Sequence, residues 1–158
     1  MDSNQNDITL WESFLRDDAI SLGLLFKKYY PALIHYGGKL CKDMQSVEDS
    51  IQELFLELWK NKNTLPTISI KAYLLKALKY KLLKEIGRNS TESIDLLDNH
   101  AFVLSHESFI VTVQEEKAIS NQLARALSQL TSRQKEVVYL KFYQQLDYDE
   151  ISVIMHIN

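Results

Sequence analysis

The sequence predicts an all-α protein of two small helical domains joined by an acidic linker, and three observations carry that reading. Apolar residues recur at i, i+3, i+4 and i+7 along most of the chain, the period of a helix with one buried face. The 158 residues include only 4 glycines and 2 prolines, none beyond Gly87, so a fold of short strands would lack its turn residues. Charge is also segregated. Lys60, Lys62, Lys71, Lys76, Lys79, Lys81, Lys84 and Arg88 meet only Glu85 in the 60–88 stretch, whereas residues 89–120 carry Glu92, Asp95, Asp98, Glu107, Glu115 and Glu116 against Lys117. A net charge of −3 conceals this asymmetry, which suits a local polyanion site, although a charge run also marks an ordinary solvated face.

The elements follow in order. Ile8, Trp11, Phe14 and Leu15 form a short helical stripe, and Leu22, Leu25, Phe26, Tyr29, Leu33, Tyr36 and Leu40 a longer one. Pro31 should kink the longer helix or mark a junction, and Gly37-Gly38 should weaken its end. Ser46 suits an N-cap, with Glu48 and Asp49 complementing the helix dipole. Val47, Ile51, Leu54, Phe55 and Leu58 then share one face, while Asp49, Gln52, Glu53, Leu56 and Lys60 gather opposite. Asn61 to Pro66 ends that helix. Ser69 opens the next, which runs to about Gly87 with Leu74, Leu75, Leu78, Leu82 and Ile86 inward.

From Asn89 to about Ser108 the chain is polar and acidic without a period, which reads as a linker, and Phe109 to Val113 as its ordered end or a helix start. Ala118, Leu123, Ala126, Leu127 and Leu130 make an amphipathic helix. Thr131 to Gln134 and Asp147 to Glu150 are capping boxes that open two further short helices joined by Gln144 to Asp147, as in a helix-turn-helix. The domains are expected at 1–90 and 118–158, with the linker at 91–117.

Several function classes are excluded. A composition of 46% hydrophobic and 25% charged residues is that of a soluble globular chain, with room for one or two cores. There is no run of 18 apolar residues and the start is polar and acidic, so neither a membrane span nor a secretory signal is expected. Cys41 is alone, which rules out a disulfide framework and fits a cytoplasmic location. His35, His100, His106 and His156 share no metal-ligand spacing, and there is no glycine-rich phosphate loop. Glu48/Asp49 and Glu115/Glu116 are adjacent pairs that diverge on a helix. No enzyme activity, cofactor or metal is expected.

Two surfaces remain. Tyr73, Lys76, Tyr80 and Lys84 recur on the non-core side of their helix, with Lys79, Lys81 and Arg88 nearby. Rings offer stacking platforms for unpaired bases, and interleaved lysines neutralise the flanking phosphates. The same pattern also suits a basic surface whose tyrosines pack on a neighbour. On the other helix, Leu56 stands among Asp49, Gln52, Glu53 and Lys60, either as a lone exposed leucine or as the apolar anchor of a partner interface.

These residues resemble the bacterial RNA polymerase sigma factors of the extracytoplasmic-function branch. Tyr29-Tyr30-Pro31, the string from Val47 to Trp59 (with its Glu-Asp-x-x-Gln-Glu-x-Phe core) and the run from Lys71 to Leu75 resemble that family's region two. Leu127 to Leu140 and Leu146 to Ser152 resemble its region four. The resemblance implies a transcription initiation factor that binds core RNA polymerase and directs promoter recognition and opening. Asp49, Gln52, Glu53 and Leu56 would dock on the coiled coil of the polymerase's largest subunit. Tyr73, Lys76, Lys79, Tyr80, Lys84 and Arg88 would bind DNA at the minus-ten element, and the C-terminal domain would read the minus-thirty-five element. The acidic linker would run through the polymerase toward the RNA exit path. An anti-sigma factor is the partner that such proteins often have.

Two departures from the family pattern stand out. Tyr80 falls where the family usually carries a base-capturing Asn, so its ring would stack without the amide's contacts. The chain also stops at His156-Ile157-Asn158, with Asn158 placed to cap a recognition helix that is not in the sequence, so a truncated helix-turn-helix and weak minus-thirty-five binding are expected. The alternatives are a helix-turn-helix regulator independent of polymerase and a helical protein–protein adaptor.

Overall fold

The computed structural model describes residues 3–62, 64–89, 100–104 and 117–157. They form seven α-helices and one π-helical turn, with no strand among the described residues. The helices are α1 (Ser3–Leu15), α2 (Ala19–Leu40), α3 (Met44–Asn61), α4 (Ile70–Asn89), α5 (Lys117–Ser128), α6 (Ser132–Val138) and α7 (Tyr148–Met155). The π turn, Tyr139–Tyr143, follows α6 directly.

Helices α1 to α4 pack around one core, and most of the residues expected to face it do so, while Ile8, Leu22, Phe26 and Ile86 are only partly buried. Trp11, Phe14, Leu25, Leu33, Val47, Ile51, Leu74, Leu75 and Leu78 have at most 1% of their surface exposed. At about 1.5–3 kcal/mol for each large apolar side chain fully withdrawn from water, this face outweighs local propensity in deciding where the helices sit. Asp7 fastens α1: it accepts hydrogen bonds from the Tyr29 hydroxyl and the Lys28 ammonium of α2. Burial, reinforced by Asp7, raises the Tyr29 phenol well above its ordinary pKa, so it remains a donor.

Several local expectations are corrected. α2 is unbroken through Pro31, because Pro31 and Lys27, whose carbonyl loses its helical donor, both lie on the exposed side. The N-cap of α3 lies three residues before the expected one. It is Asp43, which accepts from the Gln45 amide at 3.1 Å, and Ser46 only donates its hydroxyl to Asp43 at 2.8 Å. The turn after α3 closes on Lys62 in the left-handed region, and the Ser69 hydroxyl then accepts from the Ala72 amide at 3.1 Å to start α4.

Gly37 is a packing residue rather than a weak end. A Cβ there would lie 2.4 Å from Val47 Cγ1, 3.4 Å from Leu82 and 3.5 Å from Leu78, so α2, α3 and α4 converge on it.

In the second unit both capping boxes form. Thr131 and Gln134 bond reciprocally at the start of α6, as do Asp147 and Glu150 at the start of α7. Gln145 takes a left-handed φ of 58° in the turn between them. Of the expected linker, residues 100–104 are described: Phe102 and Leu104 are buried, and the Val103 amide donates to the Lys39 carbonyl at 3.0 Å. Phe109 to Val113 and Asn158 lie outside the described residues.

Gly37→Ala is expected to cost about 1–3 kcal/mol, the range for overpacking a filled core, and Val47→Ala in the same chain to recover part of it. Gly23→Ala, where an added Cβ meets nothing within 4 Å, should instead stabilise by about 0.5–1 kcal/mol. Urea unfolding midpoints of the three variants check both.

Candidate functional site

The α3–α4 hairpin presents a different surface on each side. On the α4 side, Tyr73, Lys76, Tyr80 and Lys84 line a groove of about 960 Å³. Its other walls are Leu54, Glu57 and Leu58 of α3 and the Leu65–Ile68 loop, and Val153 and His156 of α7 close one edge. Tyr80 is 58% exposed and offers a free ring face. Tyr73 is half-buried, its ring held edge-on by Trp11 at 5.7 Å. Lys76 and Lys84 make no ion pair among the described residues, so their charge is available to an incoming anion.

Lys81 also lines the groove but pairs with α3, at 2.8 Å from Glu57 and 3.2 Å from Glu53. Burial alone would lower its pKa, but the two carboxylates outweigh that and raise it, so this cation is committed within the hairpin. Arg88 lies in an adjoining cleft of about 280 Å³ between α3 and α4, lined also by Asp49, Glu53 and Glu85, which shares Glu57, Lys81 and Lys84 with the groove.

Lys79, grouped with these residues from the sequence, does not share their surface. It is 2% exposed and its ammonium lies 3.0 Å from Glu136 of α6. Its position on α4 borders the core face, where spacing alone does not separate a solvated lysine from a buried one.

On the α3 side, Gln52 and Leu56 line an apolar trough of about 410 Å³ with Phe55 and Trp59. Ala19, Leu22, Gly23 and Phe26 of α2 complete it. Leu56 is 60% exposed, and Ile20 and Leu24 beside the trough are 75% and 48% exposed. Asp49 is exposed one turn before Gln52, but neither it nor Glu53 lines the trough: both face the cleft between α3 and α4, where Glu53 lies 3.2 Å from Lys81. The α2 half of the trough was missed from the sequence because Leu22 and Phe26 fit the core stripe of their helix. Exposed Ile20 and Leu24 were the signal that α2 has a second apolar side.

The arrangement can stack and neutralise a single strand on one side and seat an apolar partner with a polar rim on the other. Joined to a helix-turn-helix unit, it defines a two-part helical DNA-binding protein. Residues 25–92 match the Sigma-70 region 2 family model and residues 120–158 the Sigma-70, region 4 model, together more than half of the chain. The chain belongs to the sigma-70 family of sigma factors, which act in promoter recognition at transcription initiation. No curated protein matches it. No helix among the described residues is long and apolar enough to cross a membrane.

Leu54→Asp should abolish the helical circular dichroism of the first domain, because it buries a charge where Leu54 is 5% exposed. Leu56→Asp, two positions along the same helix, should leave the signal and the unfolding midpoint within about 0.5 kcal/mol of the parent.

Proposed function

We propose that this chain is an initiation factor of the extracytoplasmic-function branch, acting in the cytoplasm, that docks on core RNA polymerase and opens promoters. Asp49, Gln52, Glu53 and Leu56 carry the docking on the largest-subunit coiled coil, with the trough between α2 and α3 receiving the apolar side of that partner. Tyr73, Lys76, Tyr80 and Lys84 hold the unpaired minus-ten strand, Arg88 extends its phosphate track, and the C-terminal domain reads the minus-thirty-five element. The factor works stoichiometrically: it supplies binding energy and no bond chemistry.

The observation that carries this reading is the division of one helical hairpin into two unlike surfaces. Each base stacked on a ring contributes about 1–3 kcal/mol, and the exposed Tyr80 ring offers one such platform to a melted strand. Lys76 and Lys84 add a salt-dependent share, because each phosphate they neutralise releases counterions. Tyr80 stacks without reading a base edge, so minus-ten selectivity at this position is weaker than an amide would give.

Leu56→Arg should abolish co-elution with core polymerase while leaving helix content unchanged. Glu53→Lys should do the same, but because Glu53 also pairs with Lys81, Leu56→Arg is the cleaner test. Tyr80→Ala and Lys76→Glu should keep core binding and lose promoter opening, read as permanganate reactivity of minus-ten thymines. Full opening in Tyr80→Ala and Lys76→Glu would remove the strand assignment, and core binding by Leu56→Arg would remove the docking assignment.

A further inference from the structure

On the groove side of α4 one aromatic ring stands between two ammonium groups. Lys76, Tyr80 and Lys84 fall at i−4, i and i+4, so they share one face of the helix, with each lysine about 6 Å along the axis from the tyrosine. Tyr80 is exposed and so is Lys84. Neither lysine makes an ion pair among the described residues. Glu57 is the one carboxylate among the described residues that line the groove, and Lys81 already holds it at 2.8 Å. The charge on both sides of the ring thus has no internal counter-charge.

The walls give this triplet the size of a small-molecule site. Leu65 and Pro66, in the turn after α3, supply an apolar side, and Val153 and His156 of α7 bound one edge. The volume of about 960 Å³ lies within the range of about 300–1,000 Å³ in which proteins hold small ligands. A ligand that answers these features has one flat ring system to stack on Tyr80 and an anionic group on either side of it. A nucleoside phosphorylated on both its 5′ and 3′ hydroxyls has that form. A nucleoside triphosphate carries as much charge or more but places all of it on one side, so it reaches one lysine and leaves the other unpaired.

We propose that the groove binds a free nucleoside 3′,5′-bisphosphate, with its base stacked on Tyr80 and a phosphate on each of Lys76 and Lys84. Stacking is tolerant of the base, so the two flanking charges, rather than a base edge, select the ligand. The bound ligand occupies the surface assigned to the minus-ten strand and leaves the α2–α3 trough uncovered, so it withholds the factor from promoters without blocking its docking on polymerase. That consequence rests on the strand reading, whereas the site itself follows from the ring, the two lysines and the walls.

The test is calorimetric titration of the full chain, without polymerase or DNA, with adenosine 3′,5′-bisphosphate, ATP and adenosine. The bisphosphate should bind about tenfold more tightly than ATP, and adenosine more weakly than either. Tyr80→Ala should weaken the bisphosphate about tenfold, near the low end for a lost stacked base, while Tyr80→Phe retains it because stacking needs only the ring. Lys76→Gln and Lys84→Gln should each abolish its advantage over ATP, since a site charged on one side cannot tell them apart. The bisphosphate should also displace a labelled single-stranded minus-ten oligonucleotide. ATP binding as tight as that of the bisphosphate, unchanged affinity in Tyr80→Ala, or no binding up to about 1 mM would overturn the site. An oligonucleotide that stays bound at saturating bisphosphate would overturn it too, by placing the ligand elsewhere. An oligonucleotide that never binds would count against the strand reading, while the titrations still decide the site.

Discussion

Everything functional in the first domain depends on the close approach of three helices at Gly37. With no side chain there, Val47 of α3 and Leu78 and Leu82 of α4 come against the α2 backbone, which fixes how α3 and α4 are rotated about their own axes. That rotation decides which residues remain outside. It turns Gln52 and Leu56 into the trough beside α2, and Tyr73, Lys76, Tyr80 and Lys84 into the opposite groove. A larger residue at this point would not remove any binding group, yet it would re-aim all of them. The specificity of the surface is therefore a packing property of the core beneath it.

The parts that were legible in the sequence are those fixed by local physics. The buried side of α3 follows from a strict helical period, and both capping boxes follow from side chains three residues apart that satisfy each other's amides. The errors are of other kinds. Ser46 and Asp43 are both good caps near one helix start, and only the backbone geometry selects Asp43. Pro31 was expected to kink the helix or mark a junction because proline removes a hydrogen bond, but the helix runs on through it without interruption, with Tyr29 and Leu33 buried on either side. Lys79 and His100 were not legible because their common partner, Glu136, is distant in sequence and reaches them only through domain packing.

The second domain meets the first through a buried charge. Its helix-turn-helix core is built from Leu140, Leu146, Ile151 and Ile154, while Tyr139 stacks on Tyr36 of α2 with ring centroids 6.0 Å apart. The one fully buried charge on α6 points away from that core and toward the first domain. A domain that needed only to fold would have an apolar residue there, which packs without a desolvation cost. Placing a carboxylate at this contact makes the interface depend on partners from other segments, and it makes the contact separable as a unit.

The most direct test of the account is a hydrogen-exchange footprint of the chain bound to core RNA polymerase, in the absence of DNA. The account predicts added protection across residues 19–27 and 48–60, where the trough and the acidic docking residues of α3 lie, and none across 73–86. Protection confined to α4 or to the second domain, or no footprint at all, would contradict the division of the hairpin into a polymerase surface and a strand surface.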